Sequence, residues 1–235
     1  MKERPIIFNA EMVRAILDGR KTQTRRIIQE RHLYSGGREA GNWPVHMPEG
    51  DEGEKARLWA ANNSPFGQVG DRLWVRETFA ILGNEDGCPI DWDGNLIKGD
   101  EKHAARIYKA SCWQEPGNYG LWSIPDRDIQ YEGTWRPSIH MPRWASRITL
   151  EITAVRVERL NSISEEDAKA EGVKPAGEML PDYPDTFLTP KGDFATAKVA
   201  FQRLWQSIYG EESWGANPWV WVIEFRRVEV RDASK

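Results

Sequence analysis

The sequence predicts an α+β fold. Three apolar segments read as strands, and three segments with helical spacing and recognisable ends lie among them. The strands are the most strongly patterned segments. Arg72 to Ile81 follows a Gly-Asp turn and is rich in Trp, Val, Thr and Phe. Arg147 to Leu160 alternates through Ile148, Leu150 and Ile152, then shifts phase to Val155 and Val157, which predicts a bulge. Trp219 to Phe225 is a near-continuous apolar run, as expected of a strand covered on both faces. Ala105 to Ala110 is a weaker fourth strand.

The helices are marked by their ends. Asn9 is placed to cap a helix carrying Met12, Val13, Ile16 and Leu17 on one face, and Gly19 stands where a terminating glycine belongs. Ser164 caps a short acidic helix, with Asp167 at the capping-box position and Gly172 beyond its end. Glu171 falls in that helix's last turn, where the dipole disfavours a carboxylate. A third helix over Thr196 to Tyr209 is expected to turn Val199, Phe201, Leu204, Trp205 and Ile208 inward and to stop at Gly210. Long Gly-, Pro- and Trp-bearing loops are expected at 35–68 and 113–145.

At 235 residues, with no polar linker or internal repeat, the chain is expected to form a single domain with insertions at about 29–68 and 84–145. The net charge of −4 opposes bulk attraction to nucleic acid, but basic residues cluster locally. Arg14, Arg20, Lys21, Arg25, Arg26 and Arg31 fall in one segment, and Arg136, Arg143 and Arg147 in another. Cys88 and Cys112 do not form a disulfide framework, and His32, His46, His103 and His140 lack ligand spacing, so no metal or other cofactor is expected. The start of the chain reads as neither a signal peptide nor a membrane span, which predicts a cytoplasmic protein.

The segment Gly19-Arg20-Lys21-Thr22-Gln23-Thr24-Arg25-Arg26 is the densest in chemistry. In a regular strand Lys21 and Thr24 point to opposite faces, so they converge only if the segment turns or bulges. It is a loop presenting a cation and a hydroxyl together, or a solvated basic turn. Trp113, Trp122, Trp135 and Trp144 either stack on exposed bases or pack under the loops.

Together these segments resemble the ASCH superfamily. The resemblance rests on Pro5 to Phe8, Ile16 to Arg25, Val69 to Val75, Ile163 to Val173 and Trp219 to Phe225. Gly19, Lys21 and Thr24, with Arg25 or Arg26, match the Gly-x-Lys-x-x-Thr-x-Arg pattern, and Glu171 precedes Gly172-Val173. The Gly70 to Phe79 and His140 to Arg147 stretches are similar to the longer ASCH proteins of phages and prophages. The resemblance implies a PUA-like β-barrel with flanking helices, and RNA or a modified nucleoside or nucleotide as partner, with no membrane. Some short members look like amidohydrolases of N(4)-acetylcytidine. Carried over, Thr24 is the nucleophile, Lys21 its base, and Glu171 orients Lys21 or handles the leaving amine. Alternatively Lys21 stays charged and binds an oxyanion or phosphate. Arg20, Arg25, Arg26, Arg76, Glu77, Trp135, Arg143, Trp144 and Arg147 are the expected substrate or nucleic-acid contacts. A non-catalytic RNA- or base-binding module and a metal-dependent ribonuclease are the alternative readings.

Overall fold

The structure, a computed structural model, describes residues 1–28, 50–125, 127 and 129–228. Strand β1 (Glu3–Ile7) leads into helix α1 (Ala10–Leu17), then β2 (Gln23–Ile27), α2 (Gly50–Asn62), β3 (Arg72–Arg76), β4 (Phe79–Ile81) and β5 (Arg106–Tyr108). Short strands β6 (Trp113–Gln114), β7 (Trp122–Ile124) and β8 (Ile129–Tyr131) precede the long β9 (Thr149–Arg159). Helix α3 (Glu165–Ala170), strands β10 (Lys174–Pro175), β11 (Phe187–Leu188) and β12 (Phe194–Ala195), helix α4 (Ala197–Tyr209) and β13 (Trp219–Val228) complete it. The α+β class is therefore correct.

The main sheet has the order β1-β3-β9-β13-β2. The remaining strands are two or three residues long and pair among themselves. The described strands thus form an open sheet with β1 and β2 at its ends, and they do not close into the expected barrel. The run expected over Arg72 to Ile81 breaks at Glu77 and Thr78, because β4 pairs with β5.

The chain divides into two compact units. The first takes residues 1–4, the described part of 15–73, and residues 150–228. The second takes residues 5–14 and 74–149. It therefore contains the expected insertion at 84–145, which supplies most of a core of its own: Ala80, Leu82, Ala105, Ile107 and Ile124, with Ile129, Tyr131 and Trp135 packed against them.

The first unit is organised around β13. Val220, Trp221, Val222 and Ile223 are all buried, as the apolar run predicts. Val220 and Val222 join Leu160, Ile163, Ala168, Phe201 and Trp205 in one core cluster with α3 and α4. Trp221, turned the other way, donates its indole N–H to Ala60 O of α2 at 2.9 Å. Helix α2 occupies most of the described part of the first expected loop; residues 35–49 lie outside the described ones. Arg31, His32 and His46 are also outside them.

The helix ends follow the expected chemistry. Asn9 Oδ1 accepts from Met12 N at 2.8 Å, and Gly19 ends α1 at φ 75°. Helix α4 differs on its inner face. Ala197, Ala200, Phe201 and Trp205 are buried, whereas Val199 and Ile208 are exposed. Two alanines let the helix approach closely, and the larger aliphatics then fall outside the contact stripe. Among the described residues no helix is long and apolar enough to cross a membrane.

Candidate functional site

Two local devices bring Lys21 and Glu171 together. Gly19 turns the chain out of α1, and the backbone amides of Arg20 and Lys21 both bond to Ala15 O at 2.9 Å. Ser164 Oγ accepts from Asp167 N at 3.0 Å and starts α3, which ends with Glu171 as its C-cap. Gly172 follows at φ 88°, and a Cβ there would lie 2.7 Å from Lys21 Cβ and 2.9 Å from Ala15 Cβ. Glycine is thus required twice over, for its backbone angle and for the close approach of the α3 end to Lys21. Lys21 Nζ then donates to Glu171 O at 2.8 Å and to Glu171 Oε2 at 2.9 Å. The Lys21 side chain is 0% exposed and that of Glu171 3%.

Arg25 holds the other carboxylate oxygen. Its Nη1 donates to Glu171 Oε1 at 2.9 Å, and its Nη2 to Glu158 Oε1 at 2.6 Å and Asp167 Oδ2 at 3.0 Å. The Arg25 guanidinium also lies 5.8 Å from the Phe201 ring centroid. Arg156 extends the network, bonding Asp167 Oδ2 at 2.9 Å, Glu158 Oε2 at 3.3 Å and Glu224. Asp167 therefore does not close a reciprocal capping box with its side chain. It spends its carboxylate on two arginines instead.

The β2 register decides where Thr24 goes. Arg25 stands opposite Val222 and Thr24 opposite Ile223. Successive strand residues face opposite ways, and β2 carries no bulge between them. Gln23 reaches Asp167 O at 2.8 Å on the α3 side, as Arg25 does. Thr24 is buried on the other face of β2. The structure therefore brings Lys21, Arg25 and Glu171 together and turns Thr24 away from them.

Burial sets the electrostatics. Loss of solvent drives the Lys21 pKa down. The charge and hydrogen bond of Glu171 push it back up, and Arg26 and Arg25 lower it further, leaving it below the ordinary lysine value. Burial raises the Asp167 carboxyl, but Arg156 and Arg25 outweigh it and hold the group below its usual range. The result is an amine with a weakened hold on its proton, clamped by a carboxylate that a guanidinium fixes in turn.

The other expected contacts are mostly engaged within the protein. Arg20 bonds Gly172 O and Asp18 Oδ2, each at 2.9 Å. Arg26 stands opposite Trp221 in the β2–β13 ladder. In the second unit, Glu77 is buried and takes a two-pronged contact from Arg147 at 2.9 and 3.0 Å. Arg147 also donates to Ser111 Oγ at 2.8 Å and lies over Tyr108. Arg143 donates to Thr149 Oγ1 at 3.2 Å, and Arg76 donates to Ile139 O and lies over Trp74. Trp135 packs edge-on against Trp122 and Tyr131, with Lys109 beside it. Trp144 is partly exposed beneath Arg106. Arg156 and Glu158 were not among the expected site residues. The signal for them is a pair of opposite charges two apart in the strand, which puts both on one face of β9.

Among the described residues no group of three or more His, Cys, Asp or Glu side chains is arranged to hold a metal ion. No protein-family model, curated protein or solved structure matches this chain.

Proposed function

We propose that the chain is an ASCH-type, PUA-like protein that recognises RNA or a modified nucleoside and hydrolyses the amide of an N(4)-acylated cytosine. One observation carries the reading: Lys21 is a fully buried amine with a lowered pKa, held by a glutamate that Arg25 fixes. Such an amine gives up its proton more readily than an ordinary lysine and can then accept one from water. In the reaction, water attacks the acyl carbonyl and Lys21 takes the water's proton. The carbon–N4 bond then breaks, and the ammonium of Lys21 returns the proton to N4. The products are the carboxylic acid and the free cytosine amine. Thr24, the nucleophile implied by the resemblance, lies on the far face of β2, so water takes its place. Because the Lys21 side chain is covered, substrate reaches it only if the groups over it move aside.

The same covering supports a second reading, a non-catalytic module in which the network is a rigid support for a bound base. A hydrolysis screen of N(4)-acylated cytidines, followed by mass spectrometry, separates the two. The proposal expects loss of the acyl mass with wild-type protein and none with Lys21→Ala. Absence of turnover on every acylated cytidine, with nucleoside or RNA binding that Lys21→Ala abolishes, establishes the binding module instead.

A further inference from the structure

One cluster in the first unit is rich in donors and, among the described residues, has no ion-pairing acid. Trp219 begins β13, Arg159 ends β9, and Arg57 lies on α2. The Arg159 guanidinium carbon is 4.5 Å from the Trp219 ring centroid and that of Arg57 is 6.0 Å from it. Arg159 donates to Asn217 O at 3.1 Å. Among the described residues neither arginine is within ion-pair distance of a carboxylate, whereas Arg25, Arg156, Arg203 and Arg226 in the same unit are. Trp219 Nε1–H is covered and has no acceptor among the described residues. All three groups can only donate hydrogen bonds. Two like charges on one ring repel each other, and no ion-pairing carboxylate among the described residues offsets them. Both arginines are only partly buried, so a solute can reach them.

We propose that Arg57, Arg159 and Trp219 form a phosphate-binding site. A guanidinium presents a flat pair of donors that matches two phosphate oxygens, and one phosphate group can neutralise both cations. An arginine stacked on an indole also offers its outer face to a nucleobase. The ligand chemistry is therefore a phosphate ester, either a phosphodiester in single-stranded nucleic acid or a small phosphate monoester. The site uses none of the residues of the Lys21–Glu171 pair and stands whether or not that pair hydrolyses amides. The nucleoside screen above contains no phosphate, so the two proposals fail separately.

The test uses the full chain with a fluorescein-labelled twelve-residue oligouridylate, read by anisotropy over a salt series. Inorganic phosphate and uridine monophosphate are titrated in parallel by calorimetry. Arg57→Gln and Arg159→Gln should each weaken binding by roughly tenfold or more. Each should also lower the salt slope by about 0.7, the value for one phosphate contact on a single strand. Arg57→Lys and Arg159→Lys keep the charge but lose the flat fork. They should keep the slope while losing affinity, which a merely structural role would not produce. If the two small phosphates bind and lose binding on substitution while the oligomer does not bind, the site stands and its ligand is a small ester. Failure of all three probes to bind overturns the proposal, as does wild-type affinity and slope in both glutamine variants.

Discussion

Glu171→Gln tests whether the network is held together by charge or only by shape. Glutamine keeps the volume and one acceptor oxygen, but its amide nitrogen must face either the Lys21 ammonium or the Arg25 guanidinium. Both donors approach Glu171 at 2.9 Å, and both cationic side chains are 0% exposed. Breaking a buried pair by removing one partner costs about 3–5 kcal/mol, because an uncompensated charge stays inside. For a chain of this size, where 1 kcal/mol shifts the melting temperature by about 2–4 °C, a drop of roughly 6–20 °C follows. Lys21→Met makes the opposite change. It removes the cation and leaves Glu171 paired with Arg25, so its cost is the lost hydrogen bonds, about 1–2 kcal/mol. Urea unfolding followed by circular dichroism, with linear extrapolation, measures both variants. The double variant should cost less than the two single ones together, since the residues are in contact. A Glu171→Gln protein within about 1 kcal/mol of wild type, or one more stable than Lys21→Met, refutes the claim that the carboxylate compensates two buried cations.

The same lysine makes stability depend on pH. With its folded pKa lowered, the unfolded chain binds the extra proton, so stability should rise with pH between the lowered value and the ordinary one. Urea midpoints across that range should show the rise in wild type and its loss in Lys21→Met. On the acid side, Asp71 is held at about 2 by the Lys2 amide first, then by Arg4 and the Gln68 amide. That contribution should be present above the usual carboxylate pKa and disappear as pH falls towards about 2, and Asp71→Asn should flatten this limb of the curve. Gly19→Ala and Gly172→Ala both impose a left-handed backbone angle, worth about 1–2 kcal/mol. A Cβ at 19 meets nothing within 4 Å, whereas one at 172 meets Lys21 and Ala15, so calorimetry should find Gly172→Ala clearly the worse. In the hydrolysis assay Thr24→Val should retain turnover that Lys21→Ala loses. Equal loss in both would show that Thr24 reaches the reacting atoms after all.

What was legible in the sequence is what local chemistry decides. Asn9, Gly19, Ser164 and Gly172 announced their helix ends because capping involves neighbours a few residues apart. The apolar run in β13 announced a covered strand because it leaves no polar face. Helix α2 stayed hidden because Gly50 and Gly53 weaken its pattern and its buried face includes small Ala56, Ala60 and Ala61. The meeting of Lys21 with Glu171, 150 residues on, had no local signal and was suggested only by the family resemblance. Strand alternation did carry information about Thr24, since a regular β2 separates it from Lys21, and β2 is regular. The basic segments show the deeper obstacle. Arg25 and Arg147 resemble phosphate contacts in sequence, yet each is paired with carboxylates supplied from at least 70 residues away in the chain. An arginine that holds a fold together and one that holds a ligand look alike until those distant acids are placed. Arg57 and Arg159 share one indole, and among the described residues neither has a carboxylate within ion-pair distance, which is the ground for proposing a phosphate site there.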